Sequence, residues 1–300
     1  MLHLLALYPL VRGVFYVGLL LLIGSQGADK LIMAEVSNPV QRVPMRRALQ
    51  ALVQPLALLM VVFILARGLL QVLSFLDPGD PITWPLVEAA LVTSGWGIAW
   101  LTALVASALL AIVLATHLGT RRWLVVTLLL VLIAAQTGTG HAGGSQWPGP
   151  TGRLLDGLHL AGAGTWLGTL GMLTAIAMPQ LRDDSDVPVV AALIHRFSWY
   201  ARTGALLVVI SGLTATLVYA RSPGLFIHST WGHFLLVKLA AMTGVLGLGW
   251  YNWRRVTPEL QAASCGATAR LRRAVRIELA LGVVMLAVTA LLVVSPLPGE

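Results

Sequence analysis

The chain has 300 residues, of which 57% are hydrophobic and 11% charged, against about 25% charged in an average soluble domain. A mean hydropathy of +0.84 and apolar runs longer than the roughly 20 residues that cross a hydrocarbon core exclude a water-soluble globule. A porin-type barrel is excluded as well, since its strands are shorter and alternate in polarity. Twenty Lys plus Arg against twelve Asp plus Glu give +8. In a membrane chain that excess belongs in cytoplasmic loops, so membrane lipid is the expected partner and nucleic acid is not. The single cysteine, Cys265, excludes an intramolecular disulfide and any cysteine-built metal site, which leaves soft-metal chemistry to His and Met.

Apolar stretches between charge and Pro/Gly clusters predict eight helices, near 5–26, 48–76, 84–115, 122–139, 153–178, 196–220, 231–253 and 274–294. The expected fold is all-α, a bundle of about eight transmembrane helices forming one domain over residues 1–300. The first segment is too long, and too poorly matched to a charged n-region with a small-residue cleavage site, for a cleaved signal peptide, and it reads as a retained helix. Basic residues concentrate after the odd-numbered helices: Lys30, Arg42, Arg46 and Arg47, then Arg121 and Arg122, Arg182 and Arg196, and Arg254, Arg255, Arg270, Arg272, Arg273 and Arg276. That bias places the odd loops in the cytoplasm and both termini outside. The longest loops are expected near 27–47 and 254–273. Trp84, Trp147 and Trp231 on one side, with Trp123, Trp199, Trp250 and Trp253 on the other, are expected to form interfacial belts. Glycines 162, 164, 168 and 171 are expected to let helix backbones approach closely.

Taken in chain order, the polar residues that could carry chemistry begin with His3 and Arg12 in the outer tail and first helix. Arg67 follows in the second, and Glu88 near the outer start of the third. The run Thr137-Gly-Thr-Gly-His141-Ala-Gly-Gly closes the fourth, where a broken helix frees backbone carbonyls against protein or a water-filled cavity. The fifth carries Asp156 and His159, and His159 shares a helix face with Gly162, Ala163 and Trp166. His228 and His233 flank the outer start of the seventh, which holds Lys238. Five of the seven histidines thus fall outside, leaving His117 and His195 within. Imidazole suits copper, zinc and haem iron, and thioether suits Cu(I), so a His/Met set without cysteine fits copper, as Cu(I) or Cu(II). The methionines are scattered and read as packing. His141 and His159 form the leading ligand pair, with His228, His233 and His3 as further ligand candidates. Asp156, Glu88, Lys238 and Trp166 are candidates for the surroundings of the site or an entry path.

Several short stretches then combine: Gly140-His141-Ala142, Leu158-His159-Leu160 through Gly164-Thr165-Trp166-Leu167-Gly168, and Arg196-Phe197-Ser198. Further on come Ser211-Gly212-Leu213, Leu235-Leu236-Val237-Lys238-Leu239, Asn252-Trp253-Arg254-Arg255 with Pro258, and Glu278 before a helix ending Ser295-Pro296-Leu297-Pro298. In order and spacing these resemble the bacterial copper-resistance D membrane proteins (the CopD/PcoD type), with a family-like core over about 130–298. The resemblance implies an inner-membrane protein of copper handling that moves copper inward or acts with a periplasmic copper-binding CopC-type partner, expected here as a separate protein. It favours His141, His159, Trp166, Lys238 and Glu278 as the positions that match the family pattern.

Three functions fit these residues. The first is copper transport from an outer His site through a path between the fifth, sixth and seventh helices. The second is a membrane haem protein or electron carrier using the same histidines as axial ligands. The third is a non-transporting copper chaperone or assembly factor. Nothing resembling a Walker A loop, a GxSxG elbow or HExxH occurs, so neither ATP coupling nor an enzyme is expected.

Overall fold

The computed structural model describes residues 7–77, 79–116, 121–140, 150–181, 186–219, 227–262, 264 and 266–295. Among them there is no strand, and the helices group into eight rods. These are α1 (Tyr8–Glu35), α2 (Pro39–Leu73) and α3 (Trp84–Glu88, a π turn Ala89–Thr93, then Gly95–Ala115). They continue with α4 (Arg122–Gly138) and α5 (Thr151–Ala163, a π turn Gly164–Gly168, then Thr169–Ile176). The last three are α6 (Val187–Tyr219), α7 (Thr230–Tyr251, a π turn Asn252–Val256, then Thr257–Gln261) and α8 (Ala267–Val294). Six of the rods contain helices long and apolar enough to cross a membrane. An even number of alternating rods puts the start of α1 and the end of α8 at one face, here called the terminal face; the opposite one is the basic face.

The eight expected helices are present, but the two long basic loops are largely helical. Between α1 and α2 only Val36–Asn38 leaves the helix, because Asn38 accepts from the Val40 amide at 3.0 Å as an N-cap and Pro39 presets the first turn. At 28 and 35 residues, α1 and α2 outrun the hydrocarbon core. Their polar ends are held instead by ion pairs on the basic face, Arg46 with Asp29 at 2.9 Å and Arg196 of α6 with Glu35 at 3.8 Å. Hydropathy marks where lipid ends and not where the helix ends, hence the misplaced boundaries. The third segment, expected continuous, breaks at Ser94, whose extended backbone and side chain cap Gly97 N–H at 2.8 Å.

The rods pack around α1, which touches α2, α4, α5, α6 and α8. Along α2 the buried residues Met45, Leu49, Val53, Ala57, Met60 and Ile64 recur every three or four positions. Its exposed Leu52, Leu58, Leu59, Val62, Leu65 and Leu69 form the opposite, lipid-suited face. Lipid tails are as apolar as leucine, so close backbone approach contributes more to such a bundle than transfer from water. The closest approach is α1 on α5: a Cβ on Gly168 would lie 1.9 Å from the Leu20 carbonyl oxygen, and one on Gly24 would lie 2.0 Å from the Gly168 carbonyl carbon. Trp84, Trp123, Trp199, Trp250 and Trp253 are exposed as an interfacial belt requires, whereas Trp231 is buried in the bundle and does not belong to one. Trp147 lies outside the described residues.

Candidate functional site

Two polar groups occupy the half of the bundle towards the terminal face. The first joins α1, α2 and α4. Arg67, fully buried, donates from Nη1 to Gln136 Oε1 at 2.7 Å and from Nη2 to Thr139 Oγ1 at 2.9 Å, and its guanidinium lies 4.8 Å from the centre of the Phe15 ring. Gln136 Nε2 donates in turn to the Tyr16 hydroxyl at 3.2 Å, which also accepts from Arg12 Nε at 3.2 Å. The side chains that pair directly with Arg67 are neutral. Burial of a guanidinium without a carboxylate is tolerated when fixed dipoles and a ring face replace its hydration, and here Arg67 Nε still lacks a partner.

The second group joins α5 and α6. His159 Nδ1 lies 3.0 Å from Ser211 Oγ. The Ser211 hydroxyl also lies within reach of the Leu207 and Val208 carbonyls of its own helix. With its proton on one of those carbonyls it accepts from Nδ1, a pairing that places the imidazole proton on Nδ1 and the lone pair on Nε2. The same logic orients metal-ligating histidines, where the non-ligating nitrogen is held by a hydrogen-bond acceptor. Gly212 closes the site, since a Cβ there would be 3.4 Å from His159 Cε1. Lys238 of α7 lies in electrostatic reach of both His159 and Asp156, and Asp156 in reach of Arg12. No ion pair within 4 Å joins these residues among those described.

The remaining expected residues fall elsewhere. Trp166 is buried in the π turn of α5 with its backbone against α6, where a Cβ on Gly204 would lie 2.8 Å from Trp166 Cβ. Gly162 likewise makes room for α6, its added Cβ meeting the Gly204 carbonyl and Leu207 at 2.8 Å. Glu88 is exposed at the end of the first piece of α3, a rod that packs chiefly on α2 and α4. His228 and His233 are exposed beside the start of α7, and His233 Nε2 donates to the Ile227 carbonyl at 2.8 Å. His3, His117 and His141 lie outside the described residues. Among the described residues, no three His, Cys, Asp or Glu side chains gather as a metal cage. On the basic-face side, Glu278 of α8 is buried and accepts from Asn252 Nδ2 at 2.7 Å, at the π turn of α7.

Sequence reading singled out Arg12 and Arg67 as charges but missed their acceptors, Gln136, Thr139 and Tyr16. Gln136 was legible as the one side-chain amide in the otherwise apolar α4. Ser211 was seen only as part of a short motif, and a serine in a helix usually turns back on its own carbonyl, as this one does too.

Eight apolar rods with buried ionisable side chains define a multi-pass, all-α protein of a bacterial membrane. Residues 1–152 match the profile described as copper resistance protein D-like, N-terminal domain, and residues 191–292 match copper resistance protein D. The chain belongs to the copper resistance protein D family. It is also 27% identical over 169 residues to the copper transport protein CutJ of Bacillus subtilis (strain 168), a match covering 56% of this chain and 30% of that protein. The chain thus matches under a third of the length of this relative. No solved structure matches. Residues 153–190, with Asp156, His159 and Trp166, fall between the two matched stretches.

Proposed function

We propose that this protein transports copper, taking up the ion from the terminal face with His159 Nε2 as a ligand. The observation that carries this reading is the Ser211 contact, 3.0 Å from His159 Nδ1; with Nδ1 donating to Ser211, Nε2 holds the lone pair a cuprous or cupric ion requires. Asp156 supplies negative charge beside the ligand, and Lys238 and Arg12 hold that charge in the absence of the ion. Copper arriving at His159 competes with Lys238 for the carboxylate, which gives the bundle a reason to rearrange between α5 and α7. His141 is the proposed second ligand, with His228, His233 and His3 as donors along the approach, Glu88 at its rim and Trp166 beneath it. The Lys/Arg bias puts the basic face in the cytoplasm and the terminal face, with both chain ends, outside. Residues 1–300 act as one transmembrane unit because α1, from the stretch matched by the N-terminal profile, packs on α5, α6 and α8. A periplasmic CopC-type protein is the proposed delivery partner, and the proposed role is non-enzymatic.

Metal content and a visible spectrum of detergent-purified protein, before and after addition of Cu(I) or Cu(II), test the assignment. The expected result is near-stoichiometric copper that is lost in His159→Ala and retained in His117→Ala, followed by copper flux in vesicles. Equal losses in the two variants overturn the site. A Soret band lost in His159→Ala makes the histidine a haem ligand, and copper binding without flux makes the protein a copper-holding chaperone.

A further inference from the structure

At the basic face, the end of α5 and the start of α8 enclose a pocket of about 430 Å³ lined by Thr174, Met178, Pro179, Arg272, Val275 and Arg276. Its chemistry is split: Met178, Pro179 and Val275 give an apolar wall, and two arginines one helical turn apart give the rim. Arg272 is pinned by donation from Nη2 to the Leu181 carbonyl at 3.0 Å, while its Nε–H is buried without any acceptor. The described carboxylates of this face are already engaged: Asp29 by Arg46, Glu35 by Arg196, Asp186 by Gln41 at 2.7 Å, Glu259 by Arg270 and Glu278 by Asn252. Among the described residues, the pocket therefore presents two cations and an oriented donor with no carboxylate paired to them.

Its depth suits one class of ligand. On the same side of the bundle Arg202 lies 4.3 Å from the Trp199 ring centre, and Arg254 lies 4.9 Å from that of Trp250. Exposed Trp with Arg is the signature of the headgroup level. A basic pocket between helices at that level meets lipid phosphates from one side and acyl chains from the other, and guanidinium matches phosphate with paired N–H donors.

We propose that this pocket binds the phosphate of an anionic phospholipid, held by Arg272 and Arg276, with the glycerol and first acyl carbons on Met178, Pro179 and Val275. The site clamps α5, which carries His159, to α8.

Thermal unfolding of the full chain in neutral detergent, followed by tryptophan fluorescence, tests it during titration with dioleoylphosphatidylglycerol, dioleoylphosphatidylcholine or inorganic phosphate. Phosphatidylglycerol is expected to raise the midpoint saturably, phosphatidylcholine is not, and Arg272→Ala with Arg276→Ala is expected to weaken half-saturation about tenfold. Should the double variant fail to fold, Arg276→Gln, at an exposed side chain, is expected to weaken it about threefold. Equal responses to the two lipids, or variant titrations that superpose on the parent, overturn the proposal. Saturation by inorganic phosphate at the same midpoint shift, with no further effect of phosphatidylglycerol, assigns the pocket to free phosphate and overturns the lipid.

Discussion

Arg67 on α2 and Gln136 on α4 are joined by a 2.7 Å hydrogen bond between Nη1 and Oε1, with Arg67 almost wholly out of solvent. An amide thus stands where an ion pair would be expected. The bond ties two rods that flank α1, and through Tyr16 it reaches Arg12 and the neighbourhood of Asp156.

Gln136→Leu removes the acceptor for Arg67 and the donor to Tyr16 at one stroke, leaving a buried charge with one side-chain acceptor fewer. The expected loss is about 2–3 kcal/mol, the scale of a hydrogen bond to a charged group in the interior. Gln136→Glu keeps the shape and adds a countercharge, so it should match or exceed the parent. Detergent-phase thermal unfolding of the two variants checks the pair, and a stable Gln136→Leu protein would remove the network from the list of what holds α2 to α4.

Gly168→Val is expected to separate α1 from α5, since even a single Cβ would sit inside the contact distance of the Leu20 carbonyl. Overpacking of this kind costs about 3 kcal/mol or more when backbone is the obstacle. Gly247, with nothing within 4 Å of an added Cβ, is the control: Gly247→Ala should be neutral or stabilising by up to about 1 kcal/mol. Yields of monodisperse protein and unfolding midpoints of the two variants should diverge accordingly.

Ser211→Ala leaves the packing of α5 on α6 almost unchanged but frees the imidazole to rotate and to switch tautomer. Copper affinity is expected to fall about 10- to 100-fold, the usual cost of losing a group that orients a ligand histidine, while the unfolding midpoint moves little. Competitive titration against a chromogenic copper chelator gives the affinity. An unchanged value would mean that His159 is held for packing alone.

A reporter fused after Glu300 should be active only outside the cytoplasm, and the same reporter placed after Gln261, at the basic face, only inside. The reverse pattern would invert the orientation read from the Lys/Arg bias and with it the side from which copper approaches His159.

The number of rods was legible because lipid imposes it: each crossing needs about 20 apolar residues with every backbone group satisfied internally. Helix ends were not legible, since α1 and α2 continue into water on ion pairs such as Asp29 with Arg46 that composition does not reveal. Asp156 and His159 could be named as polar residues one turn apart on one helix, but the approach of Lys238 to them could not be read from spacing, as it lies on α7 with α6 between. What the sequence by itself determined is therefore a polytopic helical protein with too few polar residues to waste. Only the tertiary structure decided which of those residues meet: backbone contact at Gly24 and Gly168 sets how α1 crosses α5, and the fold brings Ser211 of α6 to 3.0 Å from His159 Nδ1 on α5.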